Sequence, residues 1–263
     1  MKFKAGFIGT GNMGGALAHA VSKTAESVTL FDINAKKAEA LSLEIGAKTA
    51  SDIKELVAVS NFVFLAVKPN VILKLAEEIK GYLKPETVVI TMAAGVSLEE
   101  LTAVLGSYNC IRIMPNTPAA VGEGMILYCC AKNVTKETEK GFLELMSACG
   151  KTDLLDEKLF DAAAALSGCG PAFTYMFAQS LADGAVSCGV PRDKANAYAA
   201  QTLLGSAKML LESGKHPEQL KDEVCSPGGT TIEGVLALEK GGFRSAGAKA
   251  VVAAYEKTSK LKK

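Results

Sequence analysis

Apolar positions in the first 115 residues come in short unbroken runs separated by amphipathic stretches. Phe62-Val63-Phe64-Leu65-Ala66-Val67 shows no alternation, as in a strand covered on both faces. Lys4 to Ile8, Val28 to Phe31, Phe62 to Val67, Val88 to Met92 and Cys110 to Met114 read as strands. Met13 to Ser22, Ala35 to Ile45, Val71 to Tyr82 and Leu98 to Leu105 read as helices between them. Ser97 and Glu100 have capping-box spacing at one helix start. Strand–helix repeats of this length predict an α/β fold with a doubly wound parallel sheet.

After about Pro115 the pattern changes. Met125 to Cys129 and Thr152 to Leu155 read as added edge strands around a helix from Thr135 to Cys149. From Glu157 onward only helical patterns remain: Leu159 to Ser167, Ala172 to Cys188, Arg192 to Ser213, Thr231 to Glu239 and Ala246 to Ser259. Pro171, Pro191 and Pro227 sit at or just before helix starts. The expected division is a dinucleotide-binding domain at 1–156 and an all-helical domain at 157–263.

Composition narrows the function. Of 263 residues, 49% are apolar, which excludes a disordered chain. Twenty-nine basic against 28 acidic side chains leave a net charge of +1, with no global attraction for nucleic acid or an anionic membrane. Only the tail, Lys257 to Lys263, concentrates positive charge, as a solvated end does. Residues 2–20 loosely mimic a signal peptide, but five glycines between Gly6 and Gly15 break the apolar run. Residues 162–182 carry no charge, yet Ser167-Gly168-Cys169-Gly170-Pro171 interrupts them, so a buried helix pair is expected rather than a membrane span. Seven cysteines without C-x-x-C spacing fit a reducing cytoplasm better than disulfides or a zinc site, and no metal is expected.

Candidate chemistry lies at two places. The first strand runs into Gly9-Thr10-Gly11-Asn12-Met13-Gly14 and then a helix, with Asp32 at the end of the second strand. Gly9 permits a tight turn, Gly11 lets backbone approach a pyrophosphate, and Gly14 lets helix and strand pack closely. The helix start then offers free N–H groups to phosphate. Ile8 to Gly14, Ala66-Val67-Lys68-Pro69 and Ala93-Ala94-Gly95 are therefore candidate coenzyme contacts at the carboxyl edge of the sheet. Asp32 favours NAD through the ribose 2′-hydroxyl, whereas Asn34, Lys36 and Lys37 would suit a 2′-phosphate if Asp32 turned away.

The second place is Ser226-Pro227-Gly228-Gly229-Thr230-Thr231, opening a helix. Its converging amides suit a carboxylate, with a plain Thr N-cap as the alternative. Neither histidine, His19 nor His216, stands in a catalytic pattern, so either the reaction needs little acid catalysis, as reduction of a basic cyclic imine would, or the chain is not an enzyme. A β-hydroxyacid dehydrogenase using Lys194 or Lys208, and a non-catalytic nucleotide sensor, are the rivals.

The chain resembles the pyrroline-5-carboxylate reductase family end to end. The resemblance rests on Phe7 to Met13, Leu65 to Pro69, Met114-Pro115-Asn116-Thr117-Pro118, residues 166–172, Ala200 to Gly205, Gln219 to Asp222, and the 226–231 loop followed by Glu239 to Arg244. It implies a Rossmann-type domain followed by an all-helical dimerisation domain, which forms a homodimer or a dimer-based higher oligomer. It also implies NADPH (with NADH open because of Asp32), and reduction of 1-pyrroline-5-carboxylate to L-proline. It places the imino acid against Thr230 and Thr231, lined by Glu157. Loop amides at Ser226, Thr230 and Thr231 are expected to hold the carboxylate, and the Thr231 hydroxyl, in the absence of a stronger acid, to bond the ring nitrogen and relay a proton. The resemblance overrides the N-cap alternative at Thr231. Cys169, Glu223 and the Ser51-Asp52 stretch depart from the family pattern, which leaves details of coenzyme contact open.

Overall fold

Phe7 and Ile8, adjacent on one strand, enter two different cores, because successive side chains of a strand face opposite ways. The structure, a computed structural model, describes residues 3–261. Its strands are β1 (Lys4–Ile8), β2 (Ser27–Phe31), β3 (Lys48–Thr49), β4 (Phe62–Leu65), β5 (Val88–Thr91), β6 (Asn109–Met114), β7 (Gly124–Cys130) and β8 (Gly150–Leu154). They form one sheet in the order β3-β2-β1-β4-β5-β6-β7-β8. Neighbours run parallel from β3 to β6, β7 is antiparallel to β6, and β8 is parallel to β7. The doubly wound expectation is met, with a reversed edge.

Helices α1 (Asn12–Val21), α2 (Ala35–Ile45), α3 (Ile53–Val59), α4 (Pro69–Lys80), α5 (Leu98–Leu105) and α6 (Lys136–Met146) belong to this sheet region. One face buries Phe7, Phe64, Leu17 and Phe142, with the Phe7 and Phe64 rings stacked 4.2 Å apart. The other buries Leu65, Ile72, Leu101 and Phe160. Cys129 and Cys130 split between the faces as their adjacency on a strand requires. The signal-like stretch is β1, the glycine turn and α1. The Ser97–Glu100 capping box forms at α5.

Sequence patterning missed three short elements. β3 has two exposed residues, and α3 has seven, started by the Asp52 carboxylate accepting from the Glu55 N–H. α4 begins at Pro69 rather than Val71, since proline fits the first helical turn.

After α7 (Phe160–Ser167) the chain is helical: α8 (Gly170–Ser187), α9 (Arg192–Ser213), α10 (Pro217–Val224), α11 (Thr230–Lys240) and α12 (Phe243–Leu261). α10 is the third element missed; among its residues only Leu220 and Val224 are large and apolar. The chain divides into two compact units, residues 3–168 with 255–261, and residues 169–254. In the second unit α8 packs on α9, and only Ala182, Ala195 and Ala199 are buried. The buried helix pair expected over 162–182 is thus corrected. Tyr175 and Met176 of α8 stand 64% and 74% exposed, so that apolar composition marks a face with nothing over it in the single chain. Among the described residues no helix is long and apolar enough to cross a membrane. Lys262 and Lys263 of the basic tail lie outside the described residues.

Candidate functional site

The glycine turn is built by close backbone contacts. The Gly9 N–H donates to the Phe31 carbonyl at 2.7 Å, locking the turn to β2, and Gly9 adopts φ +100°. A Cβ on Gly9 would lie 2.4 Å from the Ala66 carbonyl oxygen, and one on Gly14 would lie 2.4 Å from the Gly9 carbonyl oxygen. Gly11 differs: apart from its adjoining residues, no described residue lies within 4 Å of where its Cβ would be. The space kept open there points outward, where a ligand's pyrophosphate would approach. Gly11 is also the N-cap of α1 and brings no side-chain cap, which leaves the first N–H groups of the helix to an outside acceptor.

The turn borders a cavity of about 530 Å³ that also meets Asp32, Ile33, Ala66, Val67 and Lys68. Ile33 is 99% exposed there. Val71 and Lys74 of α4 line the same space; sequence reasoning missed Ile33, Val71 and Lys74, whose only signal was an apolar or basic residue on an otherwise exposed position. Lys68 caps α4 and Pro69 is its first residue. Ala93, buried, and Ala94 and Gly95, exposed, follow the end of β5 at the same edge of the sheet. Open glycine, free helix amides and cavity together fit a dinucleotide.

Asp32 is turned inward. Its Oδ2 accepts from the Thr10 N–H at 2.8 Å and the Thr10 hydroxyl at 3.0 Å, and its Oδ1 accepts from the Asn34 N–H at 2.9 Å. Burial opposes its charge, but these three donors and the nearby Lys37 outweigh burial and hold the carboxyl below its ordinary range.

Glu157 stands in the first unit and opens a short 3-10 turn, Glu157–Leu159. Its Oε1 accepts from Nη1 of Arg112 at 2.7 Å and from the Leu98 N–H at 2.6 Å. Arg112, on β6, is 2% exposed, lies 5.0 Å over the Phe160 ring, and keeps Nε and Nη2 buried without a partner among the described residues. It too was missed, although one cation inside Cys110-Ile111-Arg112-Ile113-Met114 was a legible signal. Four positions after Arg112, Asn116 donates from Nδ2 to the Ser167 carbonyl and accepts the Met125 N–H. The two ends of the 157–167 segment are thus pinned to the sheet by buried polar groups.

In the second unit, the Gly229 N–H donates to the Ser226 carbonyl at 3.0 Å across Pro227-Gly228, with Gly228 at φ +68°. This is a turn of type II character. α11 then starts at Thr230 with Gly229 as its N-cap, so no threonine caps it. Ser226, Thr230 and Thr231 are exposed, and the Thr231 hydroxyl makes no hydrogen bond among the described residues. α10 and α11 flank the turn. Arg244 of α12 bonds Glu218 with two nitrogens, at 2.9 and 3.1 Å, and Glu239 with its Nε, joining the start of α10 to the end of α11.

The histidines have other work. His19 on α1 lies 3.9 Å from Glu44, and His216 caps α10 by accepting the Glu218 N–H. Lys208 faces Glu212 at 3.7 Å on α9.

Comparison with known proteins gives two family matches along the chain. Residues 4–95 match the family described as NADP oxidoreductase coenzyme F420-dependent, and residues 157–261 match pyrroline-5-carboxylate reductase dimerisation. A pyrroline-5-carboxylate reductase of Escherichia coli (strain K12) is 39% identical over 268 residues, covering 100% of both chains. One of Arabidopsis thaliana is 41% identical over 264 residues, covering 98% of this chain and 95% of its own. The crystal structure of Plasmodium falciparum pyrroline carboxylate reductase with NADP bound aligns with a TM-score of 0.87 at 34% identity, covering 99% of this chain and 98% of that one.

Proposed function

The chain belongs to the pyrroline-5-carboxylate reductase family, and from that premise we propose how its residues divide the reduction of 1-pyrroline-5-carboxylate to L-proline. It is an NAD(P)-dependent oxidoreductase acting on a CH–NH bond, with NADP as its coenzyme. The chemistry NADPH supplies when bound is a hydride for the imine carbon.

Ile8 to Gly14 form the coenzyme cradle, in which the amides of Gly11, Asn12 and Met13 take the pyrophosphate. Ala66 to Pro69 and Ala93 to Gly95 flank the nicotinamide half at the sheet edge. The imino acid's carboxylate is held at the start of α11, where the dipole and free amides favour an anion, by Ser226, Thr230 and Thr231. The Thr231 hydroxyl donates to the ring nitrogen as the C=N bond is reduced, and solvent returns the proton. Glu157, whose Oε1 accepts from Arg112 and the Leu98 N–H, is assigned to the substrate through the family match. Most of the acceleration comes from orientation, because an imine nitrogen is basic enough to need no strong acid.

The observation that carries this reading is the start of α11: its cap is a glycine, so the threonine hydroxyls and first amides remain unspent. A paired assay of NADPH and NADH oxidation with the imine tests substrate and coenzyme together. Thr231→Ala should lower kcat by about 100-fold while NADPH binding holds. An unchanged kcat removes the proton relay.

We assign the exposed apolar face of α8 and α9 to a homodimer, the unit of any larger assembly. All seven cysteines are free, which supports action in the cytoplasm.

A further inference from the structure

A carboxylate at the end of the second strand of a dinucleotide-binding sheet ordinarily reads the adenosine ribose, accepting from its 2′-hydroxyl. Asp32 occupies that position, yet its carboxylate is already spoken for. A carboxylate offers about four acceptor sites. Three of them take the Thr10 N–H, the Thr10 hydroxyl and the Asn34 N–H, at 2.8, 3.0 and 2.9 Å. The one left is short of the two that a grip on adjacent ribose hydroxyls uses. Swinging Asp32 outward would strip the Thr10 amide of its acceptor at the bend between Gly9 and Gly11.

The same bonds have a structural consequence. Thr10 lies between the glycine tied to the Phe31 carbonyl and the glycine left open for pyrophosphate. Thr10 is held by both its N–H and its side chain to a residue 22 positions away. The Asn34 N–H fixes the other carboxylate oxygen at the entry to α2. One carboxylate thus ties the phosphate turn to the end of β2 and to the segment beyond.

We infer that Asp32 is a positioning residue of the phosphate turn, acting through Thr10, and not the reader of the adenosine 2′-hydroxyl. This rests on the assignment of the Gly9–Gly14 turn to the coenzyme. It explains how an acidic residue at this place coexists with NADP as coenzyme. The carboxylate's hydrogen bonds go to the turn and to Asn34, and its charge is offset by Lys37.

Equilibrium binding tests it without turnover. The unaltered protein is titrated with NADH and with the NADH analogue lacking the adenosine 2′-hydroxyl, followed by nucleotide fluorescence. A charged acceptor that read this hydroxyl would lose about tenfold or more in Kd on its removal. We expect the two Kd values to agree within about threefold. Asp32→Asn, folded or not as judged by circular dichroism, adds a second readout. Where it folds, it should weaken NADH and the analogue in parallel. A gap beyond threefold in the unaltered protein, or an Asp32→Asn loss confined to NADH, overturns the inference. Failure to bind NADH, its analogue and NADPH alike would overturn the coenzyme assignment on which it rests, and the inference with it.

Discussion

The two units of this chain solve burial differently. Around the sheet, two clusters bring Phe, Leu, Ile and Val side chains to full burial on both faces. In the helical unit three alanines are buried, whereas Met176, Tyr198 and Leu211 stand 74%, 60% and 65% exposed. Alanines cannot supply the apolar burial that a domain of this length needs against its chain entropy. The sheet unit buries its large apolar side chains within one chain, and the helical unit leaves an apolar face for the proposed homodimer to cover. Polar chemistry divides the same way. The sheet unit buries a guanidinium against Glu157, and the helical unit keeps its Arg244 network in solvent.

The largest effect should come from charging the exposed helical face. Met176→Glu with Leu211→Glu should dissociate the assembly in light scattering and abolish activity. Each side chain loses about 1.5–3 kcal/mol of burial, counted twice across a twofold interface. Leu43→Glu on α2, where the leucine is 86% exposed, should leave mass and kcat unchanged. If Leu43→Glu dissociated the protein as well, the contrast between the units would be wrong.

Next in size is the buried pair. Glu157→Ala leaves Arg112, 2% exposed, without a counter-charge and should cost about 3–5 kcal/mol in urea unfolding. Arg112→Met should cost less than half of that, because Glu157 is 29% exposed and keeps the Leu98 N–H. Equal losses would mean that the guanidinium is better solvated than its position indicates.

What could be read from the sequence follows the same contrast. Phe62 to Leu65 and Gly9 to Gly14 announce themselves, since unbroken apolar runs and turn glycines reflect local backbone needs. β3 and α10 escaped because they are too short or too polar to carry a period. The α8 stretch misled because composition reports that Tyr175 and Met176 are apolar and says nothing of what covers them. Asp32 follows the end of β2, where the sequence puts it, but its direction depends on Thr10, a partner outside that strand. The Ser226–Thr231 loop was legible as an anion-favouring helix start, while the glycine cap that frees its threonines needed coordinates.

The smallest effect concerns the exposed network. Hydrogen bonds from Arg244 and then Lys221 hold Glu218 at about 2, below the ordinary carboxylate value of 4.5. A depressed folded-state pKa stabilises above the unfolded value and loses that stabilisation as pH falls through the folded one. The contribution of Glu218 is therefore complete above about pH 4.5 and fades toward pH 2. Arg244→Met removes its largest cause, so the variant should melt slightly below the unaltered protein at pH 6, and the two should converge as pH falls through that window. They should converge also in molar salt, where exposed pairs are screened. An offset independent of both pH and salt would assign Arg244 to packing between α10, α11 and α12, and would make the helical unit resemble the sheet unit in how it uses charge.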